Sequence, residues 1–117
     1  MQDINEIVKG LYDALDEKKG EDIKIMEISD ISDIADYFVI VTAGNINHME
    51  ALQDTADEYM VRSGMNASSI EGHPREKSNW ILMDYGDVII HIFDKEAREF
   101  YNLDHLWKGG KKPAIEL

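Results

Sequence analysis

A chain of 117 residues with 44% hydrophobic and 31% charged side chains has the size and balance of one globular domain, which excludes a disordered polypeptide and predicts a single core. It contains no cysteine, so thiol catalysis, disulfide frameworks and zinc sites built on thiolates are excluded. A formal net charge of −12 disfavours binding to phosphate backbones and direct nucleic-acid readout, and favours a basic partner.

The opening Met1-Gln2-Asp3-Ile4-Asn5-Glu6 has neither the basic start of a secretory signal nor the acid-poor character of a transit peptide, and no apolar run approaches a membrane span. Cytoplasmic residence is therefore expected. Ile4, Ile7, Val8, Leu11, Tyr12 and Leu15 recur on one helical stripe that stops at Gly20, which predicts an amphipathic helix. Asp22–Glu27 follows as a strand. Ile28, Ile31 and Ile34 then recur at spacing three, the period of a short 3₁₀ turn. Asp30, Asp33 and Asp36 lie between them without the spacing or glycine of a calcium loop, and read as turn and capping residues. Tyr37-Phe38-Val39-Ile40-Val41 is too uniformly apolar for a solvent-facing strand and is expected to be central in the sheet. Asn47 and Glu50 resemble a capping box, and Met49, Leu52, Ala56, Tyr59 and Met60 form the buried stripe of a helix ending at Ser63-Gly64. A strand, helix and return strand imply a right-handed crossover. Ser68–His73 reads as a short edge strand, and residues 73–78 as a polar loop.

Trp80–Tyr85 and Val88–Phe93 are β-rich runs joined by Gly86-Asp87, and glycine at the first central position suits a type II′ hairpin turn. Tyr85 opposite Val88 then pairs Asp84 with Ile89, Met83 with Ile90, Leu82 with His91, Ile81 with Ile92 and Trp80 with Phe93. One face carries Ile81, Met83, Tyr85, Val88, Ile90 and Ile92, which reads as core. The other carries Trp80, Leu82, Asp84, Ile89, His91 and Phe93. That mixture suits either a helix-covered second face or a docking surface for another protein. Beyond the hairpin, Phe100, Leu103, Leu106 and Trp107 recur at helical spacing and predict a closing helix. Trp107 and Tyr101 are expected to seal the sheet there, with Arg98 neutralising a neighbouring carboxylate. The sequence thus divides into a domain over residues 1–107 and a glycine-rich, basic, mobile tail over 108–117.

The string W-I-L-M-D-Y-G-D-V-I-I-H-I-F from Trp80, followed after four residues by R-E-F-Y-N-L-D-H-L-W from Arg98, strongly resembles the ribosomal silencing factor, or Iojap-like, family. Glu21-Asp22-Ile23, Asp36-Tyr37-Phe38-Val39-Ile40 and Glu71-Gly72 also fall where that family has such elements. Asn45–Glu50 departs from it, lacking the Arg-Gln pair usual at the start of the central helix. The resemblance implies an α/β fold: a small mixed β-sheet of about five strands with flanking helices, nucleotidyltransferase-like without the catalytic motif. It also implies a translation repressor that binds large ribosomal subunit protein fourteen and blocks association of the subunits, with no catalysis and no cofactor. Trp80, Leu82, Asp84, Tyr85, Asp87 and His91 are the candidate partner-binding residues, with Asp84 and Asp87 meeting basic groups and Tyr85 placed beside the turn, where its hydroxyl can reach solvent. A homodimer burying the same face is the other interaction reading.

The rival class is a nucleotidyltransferase-like enzyme or nucleotide-binding protein. Such enzymes resemble one another in a Gly-Ser or Gly-Gly element followed by an Asp-x-Asp or Asp-x-Glu pair on a strand, which hold phosphates and metal ions. Thr42-Ala43-Gly44-Asn45 lacks the serine, and Asp94-Lys95-Glu96 reads as the start of a helix. His48, His73, His91 and His105 have no metal-ligand spacing, and His91 reads first as a histidine held in a structural niche.

Overall fold

The computed structural model describes residues 3–29, 33, 35–72 and 79–101. Its elements run α1 (Ile4–Glu17), β1 (Glu21–Glu27), β2 (Tyr37–Thr42), α2 (Ile46–Arg62), β3 (Ser69–Glu71), β4 (Trp80–Asp84), β5 (Val88–Phe93) and α3 (Lys95–Tyr101). Ile31, Ile34, the loop over 73–78, Leu103, His105, Leu106, Trp107 and the 108–117 tail lie outside the described residues.

Both long helices form because their apolar residues fall on one side. The stripe of α1 buries Ile7, Val8, Leu11 and Leu15, and that of α2 buries Met49, Leu52, Ala56 and Met60. Asp3 caps α1 by accepting from the Asn5 N–H at 3.2 Å. The end of α1 is not a plain glycine stop. Lys19 takes the left-handed conformation (φ 63°), and the Lys19 and Gly20 N–H groups donate to the Asp16 and Leu15 carbonyls at 2.9 Å, a Schellman turn. Gly20 is needed instead for close approach, since a Cβ there would lie 2.7 Å from Val41 Cγ2.

The cap of α2 is Asn45 rather than the expected Asn47. Asn45 still has extended backbone (φ −164°, ψ 178°), and its Oδ1 accepts from the His48 N–H at 2.8 Å, while Asn47 is already helical. Helix formation begins that early because the Ala43 N–H donates to the Phe93 carbonyl at 2.7 Å, ending β2 firmly at Thr42.

The five strands lie in the order β1-β2-β5-β4-β3. Among the described strands the β2–β5 pair is parallel and the other pairs are antiparallel. The apolar β2 is interior, as its composition demands, but the middle place belongs to β5, all six of whose residues are buried. α2 carries the chain from β2 across to β3, and β4 and β5 then fill the gap. The edge strand β3 is short and exposed, which blunts that edge against further pairing. The hairpin register is the expected one from Trp80↔Phe93 to Asp84↔Ile89. Gly86 takes a positive φ of 86°, and the Asp87 N–H closes the turn on the Tyr85 carbonyl at 3.2 Å.

The sheet is covered unequally. α1 and α2 pack on the face of Ile25, Val39, Val41, Ile81, Met83, Ile90 and Ile92, forming the main core. Beneath the other face a smaller cluster joins Met26, Ile28, Ile40, Ile89 and Phe93 to Ala97 of α3.

Candidate docking face

Pairing places Phe38 beside Ile89, Leu82 beside His91, and Trp80 beside Phe93, all on the face opposite α1 and α2. Here Ile89, His91 and Phe93 are buried, whereas Phe38, Trp80 and Leu82 are half-buried around them. α3 covers one end, where Tyr101 meets Trp80 at a ring-centroid distance of 4.5 Å and Phe93 at 5.9 Å. α3 covers this face over Phe93, as the first sequence alternative has it, and the strip through Phe38 and Leu82 reaches the surface. Toward β3 the strip is bordered by Asp84, opposite Ser69, and by Glu71, opposite Leu82. An apolar strip with a carboxylate border suits a basic, partly apolar partner.

Phe38 was not among the sequence candidates, because its place depends on β2 lying beside β5, a pairing that no local pattern carries. The expected six residues do not share one surface. Trp80, Leu82 and Asp84 line the strip. Asp87 is exposed in the turn, and its carbonyl accepts from the Asp36 and Tyr37 N–H groups at 2.9 and 3.0 Å, tying the turn to the start of β2. Asp84 has a structural task as well, since its Oδ1 accepts from the Gly86 N–H at 2.8 Å.

Tyr85 faces α2, not solvent. It is 5% exposed, and its hydroxyl donates to Asp57 Oδ1 at 2.6 Å. Burial, that hydrogen bond and the Asp57 charge all raise its pKa above the ordinary tyrosine value. His91 is enclosed. Its Nδ1 accepts from Trp80 Nε1–H at 3.1 Å, and burial pushes its pKa down to about 4, so the ring is neutral at physiological pH.

Phosphate chemistry can be tested at the carboxyl ends of β2 and β5, where α/β sheets usually hold ligands. Three N–H groups at the β2–α2 junction already bond within the protein. Ala43 N–H donates to Phe93 O, Gly44 N–H to His48 Nδ1 at 2.9 Å, and His48 N–H to Asn45. Asp94 starts α3 as its sequence suggests, accepting from the Ala97 N–H at 2.7 Å. The nearby cavity of about 200 Å³ is lined by Glu21, Asp22, Thr42, Lys95, Arg98 and Glu99. Its buried Arg98 donates to Thr42 Oγ1 at 2.9 Å and meets Asp22 at 3.4 Å, the neutralised carboxylate expected for it. Asp22 has φ 47° at an irregularity in the β1–β2 register, which turns its side chain toward Arg98. Among the described residues no three His, Cys, Asp or Glu side chains converge to hold a metal ion.

His48 gives the divergent Asn45–Glu50 stretch a function of its own. Because its Nδ1 accepts from Gly44, its Nε2 carries the proton and donates to the Lys18 carbonyl at 2.9 Å. The start of α2 is thereby fastened to the end of α1.

Fold and face together define a small mixed α/β domain whose sheet carries a half-buried apolar strip. Among the described residues no helix is long and apolar enough to cross a membrane. The family described as "Ribosomal silencing factor during starvation" matches residues 1–117, and the chain belongs to it. It is similar to the ribosomal silencing factor RsfS of Bacillus subtilis, at 36% identity over 95% of this chain and 91% of that one. It is also similar to a mouse protein named for mitochondrial assembly of the ribosomal large subunit, at 27% identity over 83% of this chain and 43% of that one. A crystal structure of a Chromobacterium violaceum protein superposes with a TM-score of 0.84 at 29% identity, covering 99% of this chain and 94% of that one. Membership of this family makes ribosome-associated regulation of translation the setting in which the face is to be understood.

Proposed function

We propose that the protein is a non-catalytic translation repressor of the cytoplasm that docks on ribosomal protein fourteen of the large subunit and blocks joining of the small subunit by its bulk. The observation that carries this reading is the family match along the full 117 residues. The half-buried strip of Phe38, Trp80 and Leu82 supplies apolar contact. Asp84 and Asp87 meet Lys or Arg groups, in keeping with the net charge of −12, which speeds encounter with basic ribosomal proteins. His91 contributes from below the strip, while Tyr85 holds the hairpin to α2 from the other side of the sheet. The mouse relative is named for assembly of the ribosomal large subunit, in keeping with that choice of subunit.

Co-sedimentation with isolated large and small subunits tests the proposal. Wild type is expected to travel with the large subunit alone and to reduce subunit joining. Trp80→Ala, with folding checked by thermal melting, is expected to lose at least tenfold in affinity, the usual cost of removing an interface tryptophan worth about 2 kcal/mol. Failure of wild type to bind either subunit at micromolar concentration overturns the reading. A folded Trp80→Ala that binds normally moves the docking face elsewhere. Light scattering of the free protein tests whether a second copy covers the strip.

A further inference from the structure

The docking strip has an indole whose polar edge is anchored from within. Trp80 packs against Phe93 at 5.2 Å and Tyr101 at 4.5 Å between ring centroids, contacts that an indole turned over about its χ2 axis could largely keep. The hydrogen bond from its Nε1–H to His91 Nδ1 at 3.1 Å cannot survive that turn. The His91 ring is itself fixed, edge-on to Phe38 at 4.6 Å and nearly parallel to Phe93, with 6° between the planes.

The imidazole carries a cost here that an aliphatic residue would not. A neutral histidine accepting at Nδ1 has its proton on Nε2, and the buried Nε2 has no hydrogen-bond partner. Burying a donor without an acceptor is destabilising, and the other β5 residues are Val, Ile and Phe. What histidine adds at this place is the Nδ1 acceptor. We propose that His91 is a positioning residue that holds the Trp80 indole in the one orientation that docks, acting through Trp80 without touching the partner. The functional half of this inference rests on the docking reading above.

The test uses the full chain and reads the indole before it reads the ribosome. Trp80→Phe assigns the Trp80 indole N–H signal apart from that of Trp107 in ¹⁵N-labelled protein. His91→Phe keeps an aromatic ring but removes the acceptor, whereas His91→Asn places an amide oxygen near the position of Nδ1. His91→Phe is expected to shift the Trp80 indole signal, to reduce its protection from solvent exchange at least tenfold and to weaken large-subunit binding about tenfold, with His91→Asn recovering part of each. Long-range ¹⁵N spectra of wild type are expected to show His91 unprotonated at Nδ1, and the opposite tautomer overturns the proposal even if His91→Phe does not fold. An unmoved indole signal in folded His91→Phe also overturns it. If the indole moves but subunit binding does not change, the docking role falls. If wild type itself binds no subunit, the docking reading falls and takes that role with it, while the indole signal still decides the positioning.

Discussion

The two faces of the sheet are made by the same strands and differ in what they ask of each residue. Under α1 and α2, Val39, Val41, Ile81, Met83, Ile90 and Ile92 have no measurable exposure, and the polar atoms that enter are paired, as Tyr85 is with Asp57. Across the sheet, among the described residues, three large apolar side chains stay half-buried, a histidine nitrogen lacks a partner, and α3 shelters one end. The first face is fully packed, whereas the second accepts imperfect burial, which is what the proposed docking requires.

The contrast breaks if the faces respond alike to truncation. Leu52→Ala, on the covered side, is expected to cost about 3 kcal/mol in urea unfolding, through lost burial and the cavity left behind. Leu82→Ala, on the open side, is expected to cost about 1 kcal/mol. Equal losses would mean that the open strip is as much a part of the core as the covered one.

Acid sharpens the contrast from the other direction. His91 has a native pKa of about 4 against about 6.5 in the unfolded chain. Below the unfolded value the unfolded state binds the proton more readily, so stability present above pH 6.5 is lost as pH falls toward 4. The loss is expected to be somewhat under 3 kcal/mol. His91→Phe should flatten that part of the pH profile, and a profile identical to wild type would show that the imidazole is not buried neutral.

Smallest is the effect at the junction of the covering helices. Gly→Ala within a helix normally gains about 1 kcal/mol. At Gly10 a Cβ would meet Tyr59 Oη and come within 2.8 Å of its Cζ, displacing the hydroxyl that donates to the Ile7 carbonyl at 2.8 Å. A net loss of about 1 kcal/mol is expected for Gly10→Ala by thermal melting, and a gain would mean that the α1–α2 contact yields easily.

Much of this arrangement is legible in the sequence because it depends on local period. The stripes of α1 and α2, the hairpin register and the sorting of its side chains onto two faces follow from spacings of 3.6 and 2. Pairings between distant segments do not. Placement of β5 against β2 brings Phe38 to the strip, and no pattern within Tyr37–Val41 announces it. Tyr85 lies on the expected side, but its hydroxyl meets Asp57 of α2 because helix and hairpin converge there, so proximity to a turn was a poor guide to solvent. His48 lacks metal-ligand spacing in the sequence and becomes a fastening between helices only when Lys18 is brought to it. The cap of α2 falls at Asn45 because the neighbouring strand fixes where β2 ends.

The parallel pairing of β2 with β5 also bears on how the chain is made. Tyr37–Thr42 leaves the translating ribosome well before Val88–Phe93, and until β5 emerges β2 has β1 alone beside it. During that interval one edge of a strongly apolar strand stands open, a species prone to wrong pairing. Nascent chains halted between α2 and β5 would therefore be the ones most in need of a chaperone, and completion of the hairpin is the step that closes the sheet.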